Sequence, residues 1–233
     1  MILEHRAAYE SYGLSTQVEA QLARLGDLVL GAAFNITGLS QPEQIELQHF
    51  LDSLSLLQVP GIDRAQRLAD IGSGGGFPAL VLAIAIPHIL VLAIESQSKK
   101  CEFIAHAASE LRLSNVTVIC ARAEDLGRSD ARESQDIVVS RAVAQLPVVA
   151  EYSIPLLRVG GLMVAMKGQI SNQERIQASK ALGILGAGDI EAFRLDPFEG
   201  SFNRWAYVAK KIRPTPEGYP RRSGIPAKRP LGA

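Results

Sequence analysis

From Arg67 onward, short apolar runs alternate with helix-patterned segments, and this rhythm constrains the fold more than any other feature of the chain. Strands are expected near Leu68 to Ile71, Ile89 to Ile94, Val116 to Cys120, Asp136 to Ser140 and Leu162 to Met166. Between them, apolar residues recur at helical spacing over Pro78 to Ile86, Ser98 to Leu111, Leu146 to Leu157 and Asn172 to Leu182. Near-continuous apolar strands joined by helices mean a parallel sheet covered on both faces, with right-handed crossovers. Two further strands are expected near Ile190 to Leu195 and Trp205 to Ala209. The link between them contains Pro197 and Gly200 and predicts an antiparallel close.

The stretch from Ile71 to Ile94 carries no Asp, Glu, Lys or Arg and is long enough to span a membrane. Its punctuation argues otherwise. Gly72, Gly74, Gly75 and Gly76 make its front a loop, and Pro87-His88 divides the rest into a short buried helix and a buried strand. No membrane partner is expected.

Two helices precede the alternating region. Thr16 with Glu19 reads as a capping box, followed by Val18, Leu22, Leu25 and Val29 at helical spacing to about Ala33. Asn35-Ile36-Thr37-Gly38 reads as a loop. Ser40 with Glu43 forms a second capping box, with Pro42 in the first turn, and opens a helix ending at Pro60-Gly61. His49 and Asp52 share a face of that helix, suited to catalysis or to a polar contact with the sheet. The division expected is an N-terminal helical extension (1–60), an α/β domain (61–212) and a Pro-rich tail (213–233) without a core of its own.

Net charge hides an asymmetry. Twenty-four basic residues balance 24 acidic ones, yet from Lys210 onward seven basic residues face a single acid, Glu217. The tail therefore reads as a flexible clamp for phosphate, attached to an acidic body. Cys101 and Cys120 form no disulfide framework, and the four histidines show no ligand spacing, so no metal is expected. The first thirty residues lack a secretory pattern, which predicts a cytoplasmic protein.

The segment Asp70-Ile71-Gly72-Ser73-Gly74-Gly75-Gly76-Phe77-Pro78 falls where a doubly wound sheet places its ligand loop. Four glycines in five residues permit positive φ and close backbone approach to a ligand. A P-loop would require Gly-Lys-Ser/Thr, which is absent. A nicotinamide or flavin site would place a third glycine where Phe77 stands. S-adenosylmethionine is the remaining candidate: it is cationic, and Asp70 supplies an acid at the base of the loop. Glu95, ending the second strand, stands where a carboxylate accepts from ribose hydroxyls. Ala123-Glu124-Asp125, after the third strand, falls where an adenine is commonly held. Arg141, after the fourth strand, and Lys167, after the fifth, reach the same crevice and are candidate substrate-positioning groups. No general base stands out.

Taken together and in order, these segments resemble one family. Asn35 to Gly38, Gln48-His49-Phe50-Leu51-Asp52-Ser53-Leu54, the Asp70 to Pro78 loop, Val139-Ser140-Arg141-Ala142 and Met166-Lys167-Gly168 are similar to the RsmG (GidB) family. The similarity runs from about residue 15 to 210, and the ending Tyr219-Pro220-Arg221-Arg222 onward is similar as well. The resemblance implies a class I, Rossmann-like methyltransferase fold with a seven-stranded sheet and S-adenosyl-L-methionine as cofactor. Its target would be N7 of a single guanine of 16S rRNA, whether naked, in the small ribosomal subunit or in an assembly intermediate. By that resemblance, cofactor contacts would fall on Gly72, Phe77, Ala123, Glu124 and Arg141, to which the reading of the loop and strand ends adds Asp70, Gly74 and Glu95. Against this stand the same cofactor acting on a protein or metabolite, a nucleotide-dependent oxidoreductase, and a non-enzymatic RNA-binding module. The last leaves the Asp70 to Glu95 constellation without a purpose.

Overall fold

The computed structural model describes residues 1–34 and 36–233; Asn35, the first residue of the expected loop, lies outside the described residues. Seven strands form one sheet: β1 (Arg67–Ile71), β2 (Leu90–Glu95), β3 (Val116–Cys120), β4 (Gln135–Arg141), β5 (Leu157–Lys167), β6 (Glu191–Arg194) and β7 (Trp205–Lys210). Their order is β3-β2-β1-β4-β5-β7-β6. The strands from β3 to β5 are parallel, whereas β7 runs antiparallel to both β5 and β6. Registers Ile71↔Ile94 and Ile71↔Ser140 bring the carboxyl ends of β1, β2 and β4 to one edge. Because β7 is reversed, the pairing Lys167↔Trp205 delivers its beginning to that same edge.

The helices are α1 (Arg6–Ser11), α2 (Thr16–Leu30), α3 (Pro42–Ile45), α4 (Asp52–Leu54), α5 (Ala79–Ala85), α6 (Ser98–Glu110), α7 (Ala123–Leu126), α8 (Leu146–Ser153), α9 (Asn172–Leu185) and α10 (Ile225–Lys228). A π-helical turn, Glu46–Leu51, joins α3 to α4. Two expected caps move. Ser15, not Thr16, caps α2, its Oγ accepting from Val18 N at 3.4 Å. Before α3 the cap is Gln41, with no side-chain bond, and Pro42 itself removes one of the N–H groups a cap would satisfy.

Alternate residues of each strand enter opposite cores, as the pleat dictates. Leu68, Val139 and Val164 join the face covered by α2, the π-helical turn and α5. Ala69, Val138 and Met163 join the face covered by α8 and α9. Tyr9, Leu22, Ile45 and Phe50 belong to one apolar cluster with Leu80 and Val91. Residues 1–34 and 36–60 thus form an outer layer of the sheet's own core. The charge-free stretch resolves into α5 and β2, and no described helix is long and apolar enough to cross a membrane.

The tail corrects an expectation. It is docked rather than free, because its polar groups meet acids and carbonyls of the body. Thr215 N donates to Glu133 Oε1 at 3.0 Å, and Arg221 forms an ion pair with the buried Glu151.

Candidate active site

The loop before α3, the π-helical turn, the glycine loop and the carboxyl ends of β4 and β5 line a cleft of about 750 Å³. The glycine loop starts where β1 leaves the sheet, with Gly72 and Ser73 donating to Ile94 O at 2.8 and 3.1 Å. Gly72 has φ +69°, and a Cβ there would lie 2.9 Å from Val143 Cγ2. Only glycine fits that corner without strain. Phe77, three residues beyond Gly74, is buried and stacks on His49 with ring centroids 4.5 Å apart.

Glu95 fastens this loop to β2. Its Oε2 accepts from Gly74 N at 2.9 Å, while Oε1 accepts from Ser96 and Gln97 N at 2.7 and 2.9 Å. Asp70 lies beneath the loop, fully buried and outside the cleft lining. Its Oδ2 accepts from Ala79 N at 3.1 Å, at the start of α5, and its Oδ1 has no protein partner. Burial pushes its pKa up to about 7, against hydrogen bonds and the Arg141 charge that favour the anion.

Arg141 is the hub of the cleft. Nη1 donates to Gln48 O at 2.8 Å and to Asp52 Oδ2 at 3.0 Å, Nη2 lies 3.1 Å from His49 Nδ1, and the guanidinium lies 5.8 Å from the Phe77 ring centroid. Asp52 Oδ1 in turn accepts from Arg204 Nε at 2.9 Å. Burial, and then the Arg141 charge, lower the His49 pKa to about 4, so the ring is neutral. His49 Nδ1 faces both the Arg141 donor and the Gln48 carbonyl, each at 3.1 Å, and Nε2 is buried without a protein partner. Lys167 also lines the cleft, but its Nζ donates to Ala144 O at 2.7 Å and pairs with Glu174 at 3.4 Å.

Of the sequence candidates, Gly72, Gly74, Phe77, Glu95, Arg141 and Lys167 meet in this cleft. Ala123 and Glu124 are buried on α7, two residues after Ala121, whose N–H donates to Glu95 O at 3.0 Å. Arg204 and Trp205 line the cleft without having been singled out in the sequence. The signal for both was the antiparallel last strand, which must begin at the edge where the parallel strands end.

Among the described residues, every acid lining the cleft is already engaged: Asp52 by two arginines, Glu95 by three N–H groups and Glu174 by Lys167 and Leu146 N, while burial and the Arg141 charge make the His49 ring a weak base. The site is built to hold and orient rather than to abstract a proton.

A likeness to solved structures supports the fold: an S-adenosylmethionine-dependent O-methyltransferase from Thermotoga maritima matches with TM-score 0.56 and 18% identity, covering 83% of this chain and 73% of that one. Among sequences, the ribosomal RNA small subunit methyltransferase G of Deinococcus radiodurans is 45% identical over 91% of this chain and 85% of its own length. That of Rubrobacter xylanophilus is 42% identical over 97% and 89%. The family model described as rRNA small subunit methyltransferase G (GidB) matches residues 19–193, and the chain belongs to that family.

Proposed function

We infer that the protein transfers the methyl group of S-adenosyl-L-methionine to N7 of a single guanine in 16S rRNA. The observation that carries this reading is the engagement of every acid in the cleft, beside a histidine whose pKa is lowered to about 4. Guanine N7 presents a lone pair and no proton, so it needs no base, only placement. Placement is worth up to roughly 7–11 kcal/mol when orientation is tight.

The residues fit the cofactor. When bound, S-adenosyl-L-methionine supplies a methyl group made electrophilic by its sulfonium. Gly72, Gly74 and Phe77 form the cradle, where side chains are excluded or packed flat. Asp70, beneath the loop with an orphaned Oδ1, anchors the start of α5 through Ala79 N and supplies a carboxyl group at the base of the cradle. Glu95 retains acceptor capacity for ribose hydroxyls, because three N–H groups do not saturate two carboxylate oxygens. The backbone of Ala123 and Glu124 receives the adenine. Arg141 and Arg204, aligned by Asp52, steady the nucleotide and its phosphate. The target base is splayed out of its stack to enter, as chemistry on a base requires.

The reading places the reaction in the cytoplasm, on 16S rRNA in the small subunit or one of its assembly intermediates. Calorimetry tests the cofactor: S-adenosyl-L-methionine binds and NAD(H) does not. Binding of NAD(H) alone would contradict it. Methylation assays on naked 16S rRNA, small subunits and assembly intermediates then identify the substrate form.

A further inference from the structure

The C-terminal segment is bonded onto the turn that the methyltransferase reading assigns to the adenine. Arg221 grips Glu151, a fully buried residue of α8, with Nε 2.8 Å from Oε1 and Nη2 2.6 Å from Oε2; its backbone N–H adds a third bond at 2.8 Å. Two and three residues on, Ser223 Oγ donates to Asp125 Oδ1 at 2.7 Å and Gly224 N–H donates to Glu124 Oε1 at 2.9 Å. On the other flank, Arg128 Nε donates to Pro220 O at 2.7 Å and Arg132 Nη1 to Tyr219 O at 2.6 Å. Gly127 lets the tail lie close, since a Cβ there would meet Pro220 Cγ at 2.9 Å.

α7 is a four-residue turn with no side-chain cap of its own. So short a helix has little intrinsic stability and takes its geometry from whatever packs on it. Both of its acids are held by the tail, while the Arg221 guanidinium is paired with Glu151.

We propose that Arg221 is a positioning residue for the cofactor: docked on Glu151, it carries Ser223 and Gly224 onto Asp125 and Glu124 and so fixes the Ala123–Glu124 backbone that receives the adenine. The proposal rests on the methyltransferase reading. It assigns the tail's effect to the cofactor site, where a phosphate clamp would act on RNA.

The test uses the full-length chain. S-adenosyl-L-methionine affinity is measured by calorimetry for wild type, Arg221→Ala and Arg221→Lys, with Arg158→Ala as a control that breaks an ion pair to Asp136 at the opposite edge of the sheet. Steady-state kinetics on 16S rRNA accompany it. Arg221→Ala is expected to raise the cofactor Kd at least tenfold, with kcat at saturating cofactor, KM for RNA and its salt dependence unchanged. Arg221→Lys keeps a charge without the fork and is expected to fall between, which serves if Arg221→Ala does not fold. An unchanged Kd, an equal rise in Arg158→Ala, or a change confined to KM for RNA would overturn the proposal. Wild type failing to bind S-adenosyl-L-methionine would instead overturn the reading beneath it.

Discussion

Asp52 and Arg141 meet at 3.0 Å across 89 residues of sequence, and the second oxygen of Asp52 holds Arg204. One carboxylate, set just after a π-helical turn, therefore aims two guanidiniums that arrive from β4 and from the start of β7. π-turns of this kind frequently mark functional positions. They displace the side chains that follow relative to a regular helix.

Replacing Asp52 by Ala leaves two cations facing each other with no anion between them. Stability is expected to fall by about 3 kcal/mol, the lower end of the cost of breaking a buried pair, and kcat/KM by roughly 100-fold, as about 2.7 kcal/mol of lost transition-state placement implies. Denaturant midpoints and steady-state kinetics measure the two effects. A variant with wild-type kcat/KM would show that the arginines need no alignment.

Gly72→Ala introduces a Cβ at φ +69° that meets Val143 Cγ2 at 2.9 Å. The backbone cost alone is roughly 1–2 kcal/mol, and the loop must shift to relieve the contact. Cofactor affinity is expected to drop at least tenfold in calorimetry. Tight binding with an unmoved loop would remove the cradle from the account.

Asp70 gives a pH signature. Burial raises its pKa from 3.8 to about 7, so between those values the folded chain keeps a proton that the unfolded chain releases. Its contribution to stability is full below the unfolded value and is lost as pH rises through the folded one. Relative to Asp70→Asn, wild type should lose stability between about pH 5 and 7, at up to about 1.4 kcal/mol per pH unit. Urea midpoints of both proteins across this range decide it; a constant gap would mean that Asp70 does not titrate there.

His49 behaves oppositely. Its pKa is lowered from 6.5 to about 4, so the stability linked to its neutral ring is present above the unfolded value and lost as pH falls toward 4. Nitrogen NMR of the ring should report a protonation midpoint near 4. A midpoint near the ordinary histidine value would mean that Arg141 and burial do not govern this ring.

The strands were legible because each is a short apolar run bounded by polar or turn residues, and the observed bounds of β3 coincide with those expected. The glycine loop was legible because no regular element tolerates Gly72 to Gly76. Local chemistry failed where two neighbours could do the same task, as with Ser15 and Thr16. The π-helical turn leaves apolar spacing close to that of an α-helix, so its effect on His49 and Asp52 could not be read from the pattern. Arg204 was missed because its partner, Asp52, lies 152 residues away. The tail was misread for a similar reason: proline-rich chain has no period, and its docking depends on Glu151, Glu124 and Glu133, each far away in sequence.

Methyl transfer to guanine N7 leaves a chemical mark on the RNA that a single experiment reads out. Full-length protein is given S-adenosyl-L-methionine carrying a labelled methyl group, together with small subunits, naked 16S rRNA and total protein. The RNA is then reduced with borohydride and cleaved with aniline, which breaks the chain where N7 methylation has left a positively charged, reducible ring. The account predicts label in 16S rRNA and cleavage at a single guanine. Label confined to protein, or labelled RNA that resists cleavage, would contradict it.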